Sequence, residues 1–174
     1  MIPSRLEAIL SRIDTKETLI KKIHIWRMQG QKIVFTNGCF DLLHRGHAEY
    51  LAKACGFGNI LIVGVNSDSS VKKLGKNDSR PLQDETSRAF IIASLDVVSS
   101  AIIFDEDTPH ELIKLIEPDV LVKGADYDAE EKNVTSKKFI VGSDLVRVRG
   151  GEVRTIALTE GFSTSAIEQK IRGK

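Results

Sequence analysis

The chain has 174 residues, 41% of them hydrophobic, which suits one domain with its own core and needs neither metals nor cross-links for stability. Lys plus Arg (25) nearly balances Asp plus Glu (24), so no basic field marks nucleic acid or an anionic membrane as the main partner. Two cysteines, Cys39 and Cys55, make no disulfide framework, and a reducing cytoplasm is the expected compartment.

From the start, Met1-Ile-Pro-Ser-Arg-Leu-Glu leads into charged amphipathic sequence, so neither a signal peptide nor a membrane span is expected. Ser4 can cap a helix running to about Ile13. Asp14-Thr-Lys-Glu17 resembles a capping box that opens a second helix through Met28, ended by Gly30. Leu19, Ile20, Ile23 and Trp26 recur at helical spacing, so residues 1–30 read as a helical extension that packs on the main body or on a second subunit.

Next, Lys32-Ile-Val-Phe35 is an uninterrupted apolar run of the kind buried on both faces of a parallel sheet. A sharp turn is expected at Asn37-Gly38, and His47 to Cys55 then has helical spacing up to Gly56. The segment between them, Thr36-Asn-Gly-Cys-Phe-Asp-Leu-Leu-His-Arg-Gly-His47, carries the most information in the chain. A helix that starts at the carboxyl end of a parallel strand aims free N–H groups and its positive end at the ligand crevice, which favours an anion. His44 and His47, three apart, project to one side and can stabilise charge developing on a phosphoryl group. Gly46 between them lets a phosphate pass without a side chain in the way. The turn lacks both G-x-G-x-x-G and the Walker Gly-Lys-Ser/Thr, and His-x-x-His without a nearby Cys or third imidazole makes a poor zinc site, so no metal ligands are assigned. His24 and His110 fall in ordinary amphipathic segments. Cys39 reads as a small turn residue rather than a nucleophile, since no base is positioned for it.

Further strands are predicted near 60–66, 99–104, 119–123 and 152–157, and helices near 84–95, 108–116 and 142–149. Alternation at that length means right-handed βαβ units: an α/β, Rossmann-like, doubly wound parallel five-stranded sheet with helices on both faces. Two polar loops break the rhythm. Residues 72–81, with Lys76 among several cations, read either as solvated surface or as a lid over phosphates; residues 124–134 are acidic and include Asp126, a candidate for the acceptor. Lys123 ends an apolar strand and so projects into the crevice, as do Asn66 and Asp68 at another strand end. Ser163 and Thr164 can donate to phosphates from the start of a last helix, or simply cap it. Arg88 can pair with Asp84 on a helix surface.

The His44-Arg-Gly-His47 segment resembles the H-x-G-H signature of the nucleotidyltransferase superfamily, in the branch of cytidylyltransferases and sugar-phosphate adenylyltransferases. Gly64-Val-Asn-Ser-Asp68, Arg88, Val122-Lys-Gly124 and Gly161-Phe-Ser-Thr-Ser-Ala-Ile167 follow in an order and spacing similar to the adenylyltransferase domain of bacterial D-glycero-D-manno-heptose 1-phosphate enzymes, over nearly everything from Gln31 to Lys170. The resemblance makes residues 31–174 the nucleotidyltransferase domain. It implies adenylyl transfer from ATP to a sugar 1-phosphate, with catalysis by His44, His47 and Lys123. It also implies nucleotide contacts from Asn37, Gly38, Cys39, Phe40, Arg88, Gly124, Ser163 and Thr164, and acceptor contacts from Asn66, Asp68, Lys76 and Asp126. Magnesium is implied too, held mainly by phosphate oxygens and water. So are a homodimer, a sugar kinase on a separate chain, and a place in surface-polysaccharide synthesis. Two other readings stay open: a cytidylyltransferase acting on glycerol 3-phosphate or a similar small phosphate, and a nucleotide-binding interaction module without turnover. Retention of both histidines argues against the last.

Overall fold

The computed structural model describes residues 3–73, 80–159, 161–171 and 173. Six strands form one sheet: β1 (Ile13–Asp14), β2 (Ile33–Gly38), β3 (Ile60–Asn66), β4 (Ser100–Phe104), β5 (Val120–Gly124) and β6 (Glu152–Ile156), in spatial order β1-β4-β3-β2-β5-β6. Every pairing is parallel. The eight helices among the described residues are α1 (Arg5–Leu10), α2 (Lys16–Met28), α3 (Arg45–Cys55), α4 (Asp68–Lys73), α5 (Glu85–Ala93), α6 (His110–Ile116), α7 (Ser143–Val148) and α8 (Thr164–Ile171).

Side chains alternate across the strands, and each set finds its own layer. Val34, Leu61, Val63, Val65, Val120 and Val122 join Leu51 and Ala54 of α3 and Ala89, Ile92 and Ala93 of α5 on one face. Ile33, Phe35, Ile62, Ile102 and Leu121 join Leu19 and Ile23 of α2, Leu112, Ile113 and Ile116 of α6 and Val146 of α7 on the other. Burial on both faces is why the central strands read as continuous apolar runs. Strand β2 has β3 on one side and β5 on the other, so the chain reverses its direction of travel across the sheet there. Ligand crevices in open α/β sheets lie at such a point, beyond the strands' carboxyl ends.

The sheet has six strands rather than five, and the extra one comes from the amino-terminal segment. Ser4 caps α1 with a complete capping box, but α1 stops at Leu10 because Ile13 and Asp14 leave to pair with Ala101 and Ile102. The cap of α2 is therefore Thr15, not Asp14. Asp14, 8% exposed, instead accepts from Thr18 Oγ1, Lys22 Nζ and Ser100 Oγ at 2.8, 2.6 and 2.7 Å, a full set of partners for a buried carboxylate. Gly30 ends α2 with φ +68°, a conformation natural to glycine.

Strand β2 runs on through Asn37 and Gly38, which pair with Gly64 and Val65. The sharp turn falls just beyond, where Phe40 holds φ +51°. That backbone is costly for a bulky side chain and persists because the Phe40 ring is buried against the core. Lys72 and Lys73, the start of the loop expected over 72–81, instead end α4.

Candidate functional site

A cleft of about 780 Å³ opens over the carboxyl ends of β2, β3 and β5. That volume is ordinary for a cofactor or nucleotide site. Three elements build it: the β2-to-α3 turn, the end of β5, and the amino end of α8.

The first contributes the imidazole pair. His44 is the N-cap residue of α3 and makes no side-chain cap bond, so its ring stays available to the cleft. His47, one turn on, stacks against it with centroids 3.9 Å apart and planes 21° from parallel, and the Phe40 ring meets His47 edge-on at 5.4 Å. Gly46 makes this possible. A Cβ there would sit 3.0 Å from the His44 ring and 3.2 Å from Phe162 Cβ, tighter than ordinary contact on both sides. Burial and the neighbouring His44 pull the His47 pKa down to about 4, with the Leu42 backbone pulling weakly the other way, and burial lowers His44 as well. Both shifts favour the neutral imidazole. The Nδ1 atoms of both rings are buried without a hydrogen-bond partner among the described residues. A neutral imidazole has one donor and one acceptor nitrogen, so each ring has a proton it can offer to an incoming oxygen.

The second contributes a cation. Lys123, 9% exposed at the end of β5, donates from Nζ to Asn37 Oδ1 at 2.7 Å and stands 5.3 Å from the Tyr127 ring centroid. Burial lowers its pKa to about 8, and Asp126 and Cys39 partly oppose that shift. An ammonium with so little solvent around it gains much from a phosphate. Gly124 and Asp126 border it in the same cleft, where a Cβ on Gly124 would come within 2.5 Å of Asp126 Oδ1.

The third contributes hydroxyls. Ser163, Thr164 and Ser165 line the cleft where α8 begins, and Ser163 Oγ also accepts from the Ala166 N–H at 3.1 Å, so it is a helix cap as well as a cleft residue. Helix α8 and the segment leading into it are tied across the cleft by side chains. Arg80 Nη2 donates to Glu168 Oε1 at 2.6 Å, Thr159 Oγ1 to Glu49 Oε2 at 2.6 Å, and the Arg45 guanidinium lies 5.3 Å from the Phe162 ring centroid.

The structure thus gathers Asn37, Gly38, Cys39, Phe40, His44, His47, Asn66, Lys123, Gly124, Asp126, Ser163 and Thr164 around one space. Asn66 is 6% exposed and spends its amide donating to Ser70 Oγ at 3.0 Å. Two expected ligands do not line the cleft. Arg88 is fully buried beneath it, with Nε donating to the Gln83 carbonyl (3.0 Å), Nη1 to the Cys39 carbonyl (2.6 Å) and Nη2 to Asp68 Oδ1 (2.7 Å). Asp68 is spent as its ion-pair partner. The reason is the register of α5: with Asp84 as N-cap, accepting from the Ser87 N–H, Arg88 turns inward to the core rather than upward. In this structure it holds the turn from below. Lys76 lies outside the described residues.

Among the cleft residues that the sequence did not single out are Tyr50, Thr159 and Glu168, and Arg80 entered only as one cation of the 72–81 loop. Tyr50 follows His47 by three and Glu168 follows Thr164 by four, so helical spacing alone carried a signal for both. Asp41 is another. Its side chain, 2% exposed, accepts from the Leu82 and Gln83 N–H groups at 2.8 and 3.0 Å and so joins the β2-to-α3 turn to the segment before α5.

Among the described residues, no group of three His, Cys, Asp or Glu side chains could hold a metal ion. The carboxylates on the cleft wall, Asp107, Asp126 and Glu168, do not make a protein cage for magnesium. No described helix is long and apolar enough to cross a membrane.

A family model for cytidylyltransferase-like proteins matches residues 35–170. "Bifunctional protein HldE" of Wolinella succinogenes is 50% identical over 167 residues, which cover 96% of this chain and 32% of that protein. The protein of the same name from Helicobacter pylori strain G27 is 54% identical over 142 residues, 82% of this chain and 28% of its own. The chain therefore spans roughly a third of the length of the curated relatives it matches. Among solved structures, a lipopolysaccharide core biosynthesis protein from Thermoplasma volcanium superimposes with a TM-score of 0.57 at 29% identity, covering 75% of this chain and 98% of that one. A pantoate-beta-alanine ligase from Francisella tularensis, at 15% identity and a TM-score of 0.58, covers 92% of this chain and 76% of its own and shares the fold.

Proposed function

The chain belongs to the cytidylyltransferase-like family, and from that membership and the cleft's geometry we propose that it transfers an adenylyl group from ATP to a sugar 1-phosphate, giving an ADP-sugar and pyrophosphate. The observation that carries this reading is the stacked His44–His47 pair sharing one cleft with Lys123 and the amino end of α8. Binding a nucleotide would not need two desolvated imidazoles on one turn; stabilising charge that grows at a phosphorus does.

In the proposed step, a phosphate oxygen of the sugar 1-phosphate attacks the α-phosphorus in line. A P–O bond forms, the bond from the α-phosphorus to the bridging oxygen breaks, and pyrophosphate leaves with the electron pair, so no protein nucleophile is needed. His44 and His47 donate hydrogen bonds to the oxygens on which charge gathers. Lys123, tethered to Asn37, neutralises the acceptor or α-phosphate. Backbone from Asn37 to Phe40, fixed from below by Arg88, packs against the nucleoside, and Ser163 and Thr164 receive the β- and γ-phosphates at the start of α8. Asn66, Gly124 and Asp126 border the acceptor. Magnesium, when bound, travels on the triphosphate and shields its charge; the protein's own residues position and donate.

D-glycero-D-manno-heptose 1-phosphate is the acceptor favoured by the motif resemblance, with a sugar kinase supplying it, surface-polysaccharide synthesis consuming the product, and a homodimer in the cytoplasm as the working form. Residues 31–174 are assigned as the transferase domain, with 1–30 as its amino-terminal extension. The test is to incubate the protein with magnesium and each nucleoside triphosphate against a panel of sugar 1-phosphates and glycerol 3-phosphate, following pyrophosphate release. Release with ATP and a heptose 1-phosphate is expected. Release only with CTP and glycerol 3-phosphate would select the cytidylyltransferase reading, and no release with any pair would leave a binding module.

A further inference from the structure

The cleft already contains an anion on a cation: Glu168 of α8 reaches the Arg80 guanidinium at 2.6 Å, and both residues line the space where a triphosphate would extend. The pair is well shielded, with side chains 14% and 18% exposed. Glu168 stands one helical turn beyond Thr164, on the same side of α8, so its carboxylate lies beside the hydroxyls assigned above to the β- and γ-phosphates. Behind Arg80 is a second carboxylate. Asp41 Oδ2 is buried without a hydrogen-bond partner and lies 3.9 Å from Arg80 Nη1, while Asp41 Oδ1 is spent on two backbone N–H groups. The guanidinium thus has Asp41 beside Nη1 and has Nη2 on a carboxylate that a phosphate can replace.

We propose that Arg80 is a ligand of the triphosphate tail held in reserve by Glu168, whose carboxylate stands in for phosphate oxygens until the nucleotide arrives. A guanidinium fork suits either partner, and a phosphate brings more charge than a carboxylate, so exchange is favourable once the tail is in place. Asp41 keeps the guanidinium aimed at the cleft throughout. Exchange also unties α8 from the segment before α5, so arrival of the tail and movement of α8 are one event. This inference rests on the proposed function, because it takes a nucleoside triphosphate as the ligand.

Calorimetric binding of magnesium–ATP and of AMP, which lacks the tail, tests it. Glu168→Gln removes the stand-in charge and is expected to tighten ATP binding about fivefold, the scale of one shielded ion pair, with AMP unchanged. Arg80→Ala is expected to weaken ATP binding by about tenfold or more and again spare AMP, and Arg80→Lys, which keeps the charge but not the fork, should lose most of the same amount. A static brace predicts instead that Glu168→Gln and Arg80→Ala weaken binding together, without regard to the tail; that result overturns the inference. So does an Arg80→Lys variant with wild-type affinity, since only the general field would then matter. A wild-type protein that binds ATP and releases pyrophosphate while the variants behave as a brace leaves the proposed function standing; one that binds no nucleoside triphosphate removes both.

Discussion

The two helix starts that frame the cleft are held in opposite ways. Helix α3 is nailed into the core: Leu51 and Ala54 are fully buried, Gly46 fits with no room for a methyl, and the Tyr50 hydroxyl is hydrogen-bonded to Thr36 at 2.7 Å. None of the described residues of α8 is buried, and the contacts that hold α8 and the segment leading into it include polar and cation–π ones: Arg80 with Glu168, Thr159 with Glu49, Arg45 with Phe162. Apolar burial gives α3 a stiff seat, whereas contacts of about 1 kcal/mol or less each leave α8 able to part from the cleft. Chemistry that needs fixed imidazoles is placed on the first. On the proposed function, phosphates that must enter and leave are met by the second.

The comparison breaks most visibly at the histidines. His44→Ala or His47→Ala should lower turnover by about 10²-fold or more with the fold intact, as loss of one charge-stabilising donor does, and circular dichroism alongside pyrophosphate release checks both halves. In stability, Leu51→Ala in α3 should cost about 2–5 kcal/mol, against about 0.5 kcal/mol or less for Ile171→Ala in α8, where the side chain is 76% exposed. Urea titration separates them; equal losses would mean that α8 is seated as firmly as α3.

Two pH effects sharpen the picture further. Lys123 has its pKa lowered to about 8, so it is mostly charged at pH 7 and loses its proton as pH rises past that value. Affinity of the free protein for nucleotide should then fall up to about tenfold per pH unit above it, and Lys123→Met should flatten that limb. For His47 the sign runs the other way. Its folded pKa, about 4, lies below the unfolded value near 6.5, so the unfolded chain binds more protons between the two and stability is lost as pH falls through that window. Discounted for partial exposure, the loss is about 1–2 kcal/mol, and His47→Asn should remove it in a urea series from pH 7 to 4.5.

Much of this is legible in the sequence, and for identifiable reasons. The central strands announce themselves because both faces are buried, and the His44–His47 spacing fixes their common side once a helix starts there. Strand β1 was hidden because two residues in a polar stretch carry no pattern; what makes it a strand is Asp14 meeting Ser100 and Lys22, partners distant in sequence or masked by a helix. Arg88 misled because a cation near a phosphate site invites a ligand role, while its real partners, the Cys39 carbonyl and Asp68, come from loops whose approach sequence does not display. Arg80 and Glu168 are 88 residues apart in the chain and gain meaning only together.

The most direct test of the central claim is a crystal structure with magnesium and a non-hydrolysable ATP analogue. The account predicts an α-phosphate oxygen within about 3.2 Å of a ring nitrogen of His44 or His47, with the β- and γ-phosphates at Ser163, Thr164 and Arg80. A triphosphate bound elsewhere, or one that leaves both imidazoles facing solvent, would contradict it.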